Sequence, residues 1–172
     1  MYGREHEAPM PDPLAYFITW ATYGTWLPGD QRGWVEYRHG WQLPNPIREL
    51  ESAARMTEDA CRLRSDQRLA VESQIKQTCG IRGWTLHAVN CRSNHLHLVL
   101  AADRDPYQVR AQLKAWCTRR LKELDAGPSG GGKPIRQKWW AERGSQRYIN
   151  DEVSLEATIL YVRDGQDRPR LC

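Results

Sequence analysis

Two histidines separated by one residue, His95 and His97, have the type and spacing best suited to metal chemistry in this sequence. They lie in the apolar stretch HLHLVLA, which predicts a β-strand. Because side chains alternate along a strand, both imidazoles project from one face, about 7 Å apart, and the intervening leucines face the core. Two neutral imidazoles so placed can bind one metal ion. The alternative is a pair of half-buried structural histidines.

The expected metal is Mg²⁺ or Mn²⁺. No cysteine lies near the two histidines in sequence except Cys91, and none is spaced C-x-x-C as in structural zinc sites. A mixed site of nitrogen and oxygen ligands suits Mg²⁺ or Mn²⁺ better than structural zinc. His87, on the preceding predicted strand, is a possible neighbour of the pair.

Tyr161 is the candidate nucleophile. It lies in a predicted helix over 151–164, beside an apolar stripe formed by Leu155, Ile159 and Val162. A tyrosine is a weak nucleophile at its usual pKa, and a metal that polarises the group under attack would assist it. A two-histidine metal site and a helical tyrosine together are suited to cutting a phosphodiester. Packing at a helix edge is the alternative role for Tyr161.

The elements that must position these side chains follow the order β, α, β, β, α, β and a final helix. Strands are predicted at 14–23, 84–91, 95–101 and within 135–150. A helix at 66–79 would turn Leu69 and Ile75 inward, and a basic helix at 106–124 would bury Val109, Leu113, Trp116 and Leu121. This order predicts an α+β, ferredoxin-like fold, with an antiparallel sheet, helices on one face and an added tyrosine-bearing helix. We expect one domain over 1–172, with an insertion at about 24–65 and a flexible linker at 125–134.

Charge and aromatic content favour a nucleic acid partner. Residues 104–147 hold eleven Lys/Arg and four Asp/Glu, although the whole chain has a net charge of only +4. The eight tryptophans and seven tyrosines, against one phenylalanine, supply flat rings that can stack on unpaired bases. No apolar run is long enough for a membrane span and no secretory signal is apparent, so we expect the bacterial cytosol or nucleoid.

Three sequence segments resemble the HUH single-tyrosine transposases, and within them the REP-associated tyrosine transposases. The histidine segment is Ser93-Asn94-His95-Leu96-His97-Leu98-Val99. The tyrosine segment begins at Tyr148-Ile149-Asn150-Asp151-Glu152 and continues through Leu155 to Ile159-Leu160-Tyr161-Val162. The strand Phe17-Ile18-Thr19-Trp20 also fits. The resemblance covers nearly the whole chain except much of 24–65.

The resemblance implies that His95 and His97 bind the metal and that Tyr161 is the nucleophile. Relatives place Asn or Gln four residues after the tyrosine as a third ligand, but this chain has Gly165 there and Gln166 next. In an unbroken α-helix Gln166 would lie about 140° around the axis from Tyr161, so it can serve only if the helix ends near Gly165. Asp164 is the fallback ligand, and Tyr148 is a lower-ranked nucleophile.

The implied activity is a metal-dependent single-stranded DNA endonuclease and strand transferase that forms a 5′-phosphotyrosine on hairpin-bearing DNA, as a monomer or homodimer. A non-catalytic nucleic-acid-binding module of the same fold, favoured by Gly165, and a phosphoesterase that uses water are the alternatives. The candidate phosphate contacts are basic side chains of the second helix and the linker region: Arg110, Lys114, Arg119, Arg120, Lys133, Arg136 and Lys138. The candidate base-stacking rings are Trp139 or Trp140, followed by Trp26.

Overall fold

The computed structural model describes residues 12–128, 132 and 134–165. The strands are β1 (Ala15–Ala21), β2 (Trp34–Glu36), β3 (Gly40–Gln42), β4 (Thr85–Cys91), β5 (His95–Ala101) and β6 (Ser145–Ile149). The helices are α1 (Pro46–Ala54), α2 (Ser65–Arg82), α3 (Pro106–Ala126) and α4 (Glu152–Leu160). A π-helical turn, Tyr161–Gly165, follows α4 directly.

Four strands form one sheet in the order β4-β5-β1-β6, and each neighbouring pair is antiparallel. With β2 and β3 set aside, this is the strand order of a ferredoxin-like fold, so the predicted fold class is confirmed. The hairpin β4–β5 also forms as predicted, because the alternating pattern over both strands matches one buried face.

One face of the sheet, the helix-covered face, packs against α2 and α3. Alternate residues of β5 supply its centre, since Leu96, Leu98 and Leu100 are fully buried there. Ile75 of α2 and Leu113 of α3 belong to the same cluster. Removing so much apolar surface from water is the main source of stability in a fold of this size.

The other face, the histidine face, carries a smaller apolar cluster beneath α4. Val99 of β5 and Ile149 of β6 pack there against Val162 of the π-helical turn, with Leu155 and Ile159 of α4 partly buried beside them. The predicted apolar stripe of the last helix therefore faces the sheet. Asp151 begins α4 by accepting a hydrogen bond from the Ser154 amide at 2.8 Å, which satisfies one of the free amides of the first turn.

Two predicted helix faces are wrong in part. The buried stripe of α2 runs through Val71 and Ile75, and Leu69 lies on the opposite side, mostly exposed. In α3 the residue that completes the buried stripe is Cys117, so the larger Trp116 is turned toward solvent. In both cases the contact with the sheet selects one stripe of the helix, and more than one stripe of the sequence contains apolar residues.

The insertion between β1 and α2 contains the hairpin β2–β3 and the helix α1. Asn45 begins α1 by accepting a hydrogen bond from the Arg48 amide at 3.1 Å. The predicted linker at 125–134 begins inside α3, which continues to Ala126, and residues 129–131 and 133 lie outside the described part. Among the described residues, no helix combines the length and apolar character that crossing a bilayer requires.

Candidate active site

The two histidines lie side by side on the histidine face, near one end of the sheet. In the sheet register, His97 is opposite Thr19 of β1 and Asn90 of β4, and His95 is opposite Ala21, the last residue of β1. Their ring centroids are 4.8 Å apart and their planes differ by 53°. The tilt of the two rings brings the imidazoles closer together than the strand spacing alone requires.

Asn94 orients the first histidine. Nδ1 of His95 lies 2.7 Å from the side-chain oxygen of Asn94, which can only accept a hydrogen bond, so Nδ1 carries the proton. In the neutral ring the lone pair is then on Nε2. Asn94 is itself held in place, because its backbone carbonyl oxygen accepts hydrogen bonds from the Thr22 amide at 2.9 Å and from the Thr22 and Thr25 hydroxyls.

His97 is held as a neutral imidazole. Burial, with smaller contributions from the nearby His95 and Arg92, lowers the pKa of His97 from 6.5 to about 4. Nδ1 of His97 is buried and makes no hydrogen bond within the described part of the chain. A buried ring nitrogen without a protein partner fits a ligand role, since an unpaired polar atom is otherwise costly.

Tyr161 joins the histidines within the same chain. Its ring stacks on His97 with 5.8 Å between centroids and 25° between planes, and it meets Phe17 edge-on at 6.2 Å. Phe17 also packs edge-on against His97 at 5.6 Å, so the three rings form one cluster. Tyr161 remains 44% exposed, which leaves part of the side chain accessible to a substrate.

A π-helical turn places this tyrosine. The α-helix ends at Leu160, and the wider turn begins at Tyr161 itself. π-helical geometry is rare and is found often at functional sites. Asn90, opposite His97 in the sheet, donates a hydrogen bond from Nδ2 to the Val162 carbonyl at 3.1 Å, which ties the turn to the strand next to the histidines.

The closeness of the Tyr161 ring explains why position 165 of this turn is a glycine. A Cβ atom at position 165 would lie 3.0 Å from Cδ2 of Tyr161, so a longer side chain there would press on the tyrosine ring. The angle of about 140° around the helix axis between Tyr161 and Gln166 applies only to an unbroken α-helix. It does not apply here, because α4 ends before Tyr161. Gln166 itself lies outside the described residues.

The two other metal-ligand candidates do not join the pair. Within the described ranges, no group of three His, Cys, Asp or Glu side chains is placed to hold a metal ion, so neither Asp164 nor His87 completes a site with His95 and His97. Asp164 is exposed. His87 lies at the irregularity of β4 between Leu86 and Ala88, which moves the strand out of simple alternation.

Sequence reasoning missed two residues of this site, Asn90 and Arg147. The guanidinium of Arg147 lies 5.5 Å from the Phe17 ring centroid and donates a hydrogen bond to the Thr158 hydroxyl of α4 at 3.2 Å. Arg147 is opposite Phe17 in the pairing of β6 with β1. The available signal was strand alternation, since Arg147 and Phe17 share a face once that pairing is known.

The structure does not place the predicted DNA-binding side chains of α3 at the histidines. Helix α3 packs on the helix-covered face, so its residues and the histidines are separated by the sheet. Arg110 donates to Gln146, and Arg119 and Arg120 form ion pairs with Glu123. Arg119 and Arg120 line the groove between α2 and α3.

Lys114 is a structural residue. Its Nζ donates to the carbonyl oxygens of residues 141, 142 and 143 at 2.7–3.3 Å, just before β6. Burial, with a contribution from Arg110, lowers the pKa of Lys114 from 10.5 to about 8. A lysine that satisfies three backbone carbonyls has little capacity left for a phosphate, and its predicted DNA contact stays a prediction.

Three of the candidates from the linker region, Trp139, Trp140 and Arg136, have side chains that are used within the fold. Trp139 is only 2% exposed, so it is a core residue and cannot stack on a base. Trp140 is partly buried against Trp20 and donates to the Thr118 hydroxyl at 3.0 Å. Glu58 pairs with Arg136 and accepts from the backbone amide of Lys138 at 3.0 Å. Lys133 lies outside the described residues.

Comparison with solved structures identifies a fold of the same kind. The structure of a REP-associated tyrosine transposase bound to a REP hairpin matches with a TM-score of 0.52 and 12% identity, over 93% of this chain and 70% of that one. A protein from Deinococcus radiodurans, provisionally assigned as a transposase, matches with a TM-score of 0.42 and 15% identity, over 91% of this chain and 92% of that one. No protein-family model and no curated protein sequence matches.

Proposed function

We propose that this protein is a transposase-type enzyme of the HUH class, which cleaves and rejoins single-stranded DNA through a tyrosine. The observation that carries the proposal is the stacking of Tyr161 on His97 beside His95, within one chain. The fold shared with the hairpin-bound transposase structure supports the same assignment. A tyrosine beside two imidazoles that can hold a cation on one sheet face is an arrangement suited to phosphodiester transfer.

The proposed reaction is a transesterification. The phenolic oxygen of Tyr161 attacks phosphorus and forms a new phosphorus–oxygen bond, while the bond from phosphorus to the 3′ oxygen breaks. The phenol loses its proton and the leaving 3′ oxygen gains one, so the products are a 5′-phosphotyrosine and a free 3′-hydroxyl. Because one phosphodiester replaces another, a second 3′-hydroxyl can reverse the step and join strands without a nucleotide cofactor.

His95 and His97 are the residues proposed to hold a divalent cation, Mg²⁺ or Mn²⁺. Their fit rests on the lone pair that Asn94 directs to Nε2 of His95 and on the buried Nδ1 of His97, which has no hydrogen-bond partner among the described residues. When bound, such a cation polarises a phosphate oxygen and offsets the charge that develops on it. We propose Gln166 as a third ligand, because α4 ends before Tyr161 and the glycine at position 165 has no side chain that could bind a metal.

We propose hairpin-bearing single-stranded DNA as the substrate, as in the hairpin-bound neighbour. Arg147 is the proposed phosphate contact at the site, because its guanidinium lies on the histidine face next to Phe17. Since Tyr161 meets His97 of its own chain, we propose that one chain contains a whole site and works without exchanging helices with a second copy.

The test is incubation of the protein with hairpin-bearing single strands and Mn²⁺ or Mg²⁺, followed by denaturing electrophoresis. The proposal requires a covalent protein–DNA adduct and a released fragment that ends in a 3′-hydroxyl. An adduct that forms equally well in the presence of a chelator would remove the metal from the proposal. DNA binding without any adduct, unchanged by His95→Ala, would instead identify a binding module of the same fold.

A further inference from the structure

Three aromatic rings of the insertion are exposed together. Trp26, Tyr37 and Trp41 lie on the hairpin β2–β3 and on the segment before it, and they are 47%, 66% and 58% exposed. Trp26 and Trp41 are in contact and Tyr37 lies in the turn of the same hairpin, so large open rings are concentrated in this insertion, as they are at many binding sites. We call these three rings, with Arg38 and Arg143, the aromatic platform.

The tryptophan part of the platform is held in place before any ligand binds. Trp26 and Trp41 meet edge-on with 6.5 Å between centroids, and Nε1 of Trp26 donates to the Gly33 carbonyl at 2.8 Å. Any Cβ at Gly33 would collide with the Trp41 ring, so the glycine allows that ring to lie on the backbone. Rings already fixed in position lose little conformational entropy on binding.

An ion pair between the buried Asp30 and the half-exposed Arg32 supports the same rings. The guanidinium of Arg32 lies 5.2 Å from the Trp26 ring centroid. Asp30 holds this guanidinium by accepting from its Nε at 2.8 Å and from its Nη2 at 2.7 Å. Burial of the Asp30 carboxylate without Arg32 would be costly, so the two residues stabilise the turn as a unit.

The platform also carries positive charge. The guanidinium of Arg143 lies 4.2 Å from the Tyr37 ring centroid, and that of Arg38 lies 5.7 Å away. Within residues 12–128 and 134–165 neither arginine forms an ion pair. Glu36, the acidic residue of the hairpin, pairs instead with His39 and Arg48. Arg38 has a φ of 77°, a left-handed conformation that is unfavourable for a residue with a side chain.

Two contacts connect the platform to the end of the sheet that carries His95. Arg143, which touches Tyr37, precedes β6 by two residues, and Ser145 of β6 hydrogen-bonds to Thr19, the residue opposite His97. At the start of the insertion, Thr25 donates to the carbonyl oxygen of Asn94 at 3.3 Å. The platform and the candidate active site are therefore joined through short segments of chain.

We propose that the aromatic platform binds unpaired nucleobases of a DNA strand that extends from the candidate active site. Exposed rings stack on bases of any sequence, and arginines beside them contact the phosphates between those bases. An aromatic surface with unpaired positive charge suits single-stranded nucleic acid better than an apolar protein partner, which would leave the arginines unpaired. This inference rests on the proposed function, since it names a contact for the same DNA substrate.

The experiment compares two DNA ligands with four proteins. One ligand is a hairpin with a single-stranded extension of about ten nucleotides on either side, and the other is the same hairpin without extensions. The proteins are the wild type, Trp41→Ala, Tyr37→Leu and, as a matched control, Ile47→Ala. Ile47 is an exposed apolar residue of α1 in the same insertion and lies outside the platform. Circular dichroism confirms that each variant is folded, and Tyr37→Leu retains an apolar side chain in the event that Trp41→Ala disturbs the hairpin.

Trp41→Ala and Tyr37→Leu should each weaken binding of the extended hairpin about tenfold, as the loss of one stacked base predicts. Binding of the bare hairpin and all binding by Ile47→Ala should stay at the wild-type value. Equal affinity of wild type and both variants for the extended hairpin would overturn the platform. If the variants bind the bare and the extended hairpin more weakly by the same factor, the rings do not select unpaired bases and the proposal also fails.

A separate readout distinguishes this inference from the proposed function. Adduct formation by the wild type tests the proposed function by itself, and Ile47→Ala, which lies outside both the platform and the candidate active site, should form the adduct at the wild-type rate. If the wild type forms no adduct and yet binds extensions through Trp41 and Tyr37, the proposed function fails and the platform stands. If adducts form normally and the variants bind like the wild type, the platform fails alone.

Discussion

The ring of Tyr161 is stacked on the imidazole of His97 in the same chain, at 5.8 Å between centroids. This contact brings together a residue of the last helical segment and a residue of the central strand β5. The stack depends on a turn that begins at Tyr161 and on Phe17, which touches both rings edge-on. A nucleophile supported in this way needs little rearrangement to meet a phosphate bound beside the histidines.

Tyr161→Phe should abolish the covalent protein–DNA adduct and leave DNA affinity within about twofold of the wild type. Phenylalanine keeps the ring that stacks on His97 and removes only the attacking oxygen. Denaturing electrophoresis measures the adduct and fluorescence anisotropy measures binding. The matched control is Tyr148→Phe, because Tyr148 packs edge-on against Tyr16 away from the histidines. Persistence of the adduct in Tyr161→Phe would show that another residue is the nucleophile.

Asn94→Ala should lower the affinity for Mn²⁺ about 10- to 100-fold, as the loss of a residue that orients a ligand does in other metal sites. The alanine removes the oxygen that accepts from Nδ1 of His95, so the ring can rotate and change its protonated nitrogen. Isothermal titration calorimetry measures the affinity directly, without DNA. Ser93→Ala, one residue earlier, serves as the control. An unchanged Mn²⁺ affinity in Asn94→Ala would argue against His95 as a ligand.

Asn90→Asp should slow adduct formation at least tenfold without weakening DNA binding. Aspartate has the shape of asparagine but cannot donate to the Val162 carbonyl, and its charge would face that oxygen. The turn that carries Tyr161 then loses this hydrogen bond to β4. Single-turnover kinetics give the rate, and hydrogen exchange of the amides of residues 161–165 should rise. Slower chemistry with unchanged exchange would mean that Asn90 acts in another way.

Arg147→Ala should weaken hairpin DNA binding and reduce the salt dependence of the binding constant by about one phosphate contact. Arg147→Lys keeps the charge and should restore most of the affinity. The double variant Arg119→Ala, Arg120→Ala should bind within about twofold of the wild type, since both side chains lie on the helix-covered side of the sheet and pair with Glu123. A larger loss in that double variant than in Arg147→Ala would place the DNA on the α2–α3 surface.

Asp30→Asn should destabilise the protein at pH 7, and the difference from the wild type should disappear in acid. Hydrogen bonds from Arg32 hold the pKa of Asp30 below its usual 3.8. Because the folded state binds this proton more weakly than the unfolded state, the contribution is present above pH 3.8 and is lost as the pH falls through the folded-state pKa. Urea unfolding at pH 7, 5 and 3 measures it, with Glu51→Gln on α1 as the control. A constant difference at all three pH values would contradict this account.

Much of the fold could be predicted because local patterns and long-range packing agree. Strand β5 begins and ends where the alternation of HLHLVLA places it, since leucines on one face and histidines on the other fit a sheet with one apolar side. Trp116 and Leu69 were predicted wrongly because helix α3 and helix α2 each contain apolar residues on more than one stripe, and only contact with the sheet decides which is buried.

Part of the candidate active site could also be predicted from local sequence patterns. His95, His97 and Tyr161 stand out by residue type, and the structure brings them together, whereas their roles stay predictions. Asn90 and Arg147 could not be recognised in this way, because their place depends on strand pairing between distant segments. Lys114 shows the converse case, since its charge predicts a DNA contact whereas the fold uses its ammonium group to satisfy backbone carbonyls.

The alternation along β5 has a consequence for how this protein can change in length. Deleting or inserting a single residue between His95 and Leu100 would shift the pairing of part of β5 by one position. Side chains in that part would then point to the opposite face of the sheet, so that leucines and imidazoles could no longer both keep their places. Such a lesion would abolish folding and chemistry at once. Additions are tolerable only where strands terminate, and the tryptophan-bearing insertion starts where β1 ends. The fold can therefore accept added residues at the ends of its strands, as it does in this insertion.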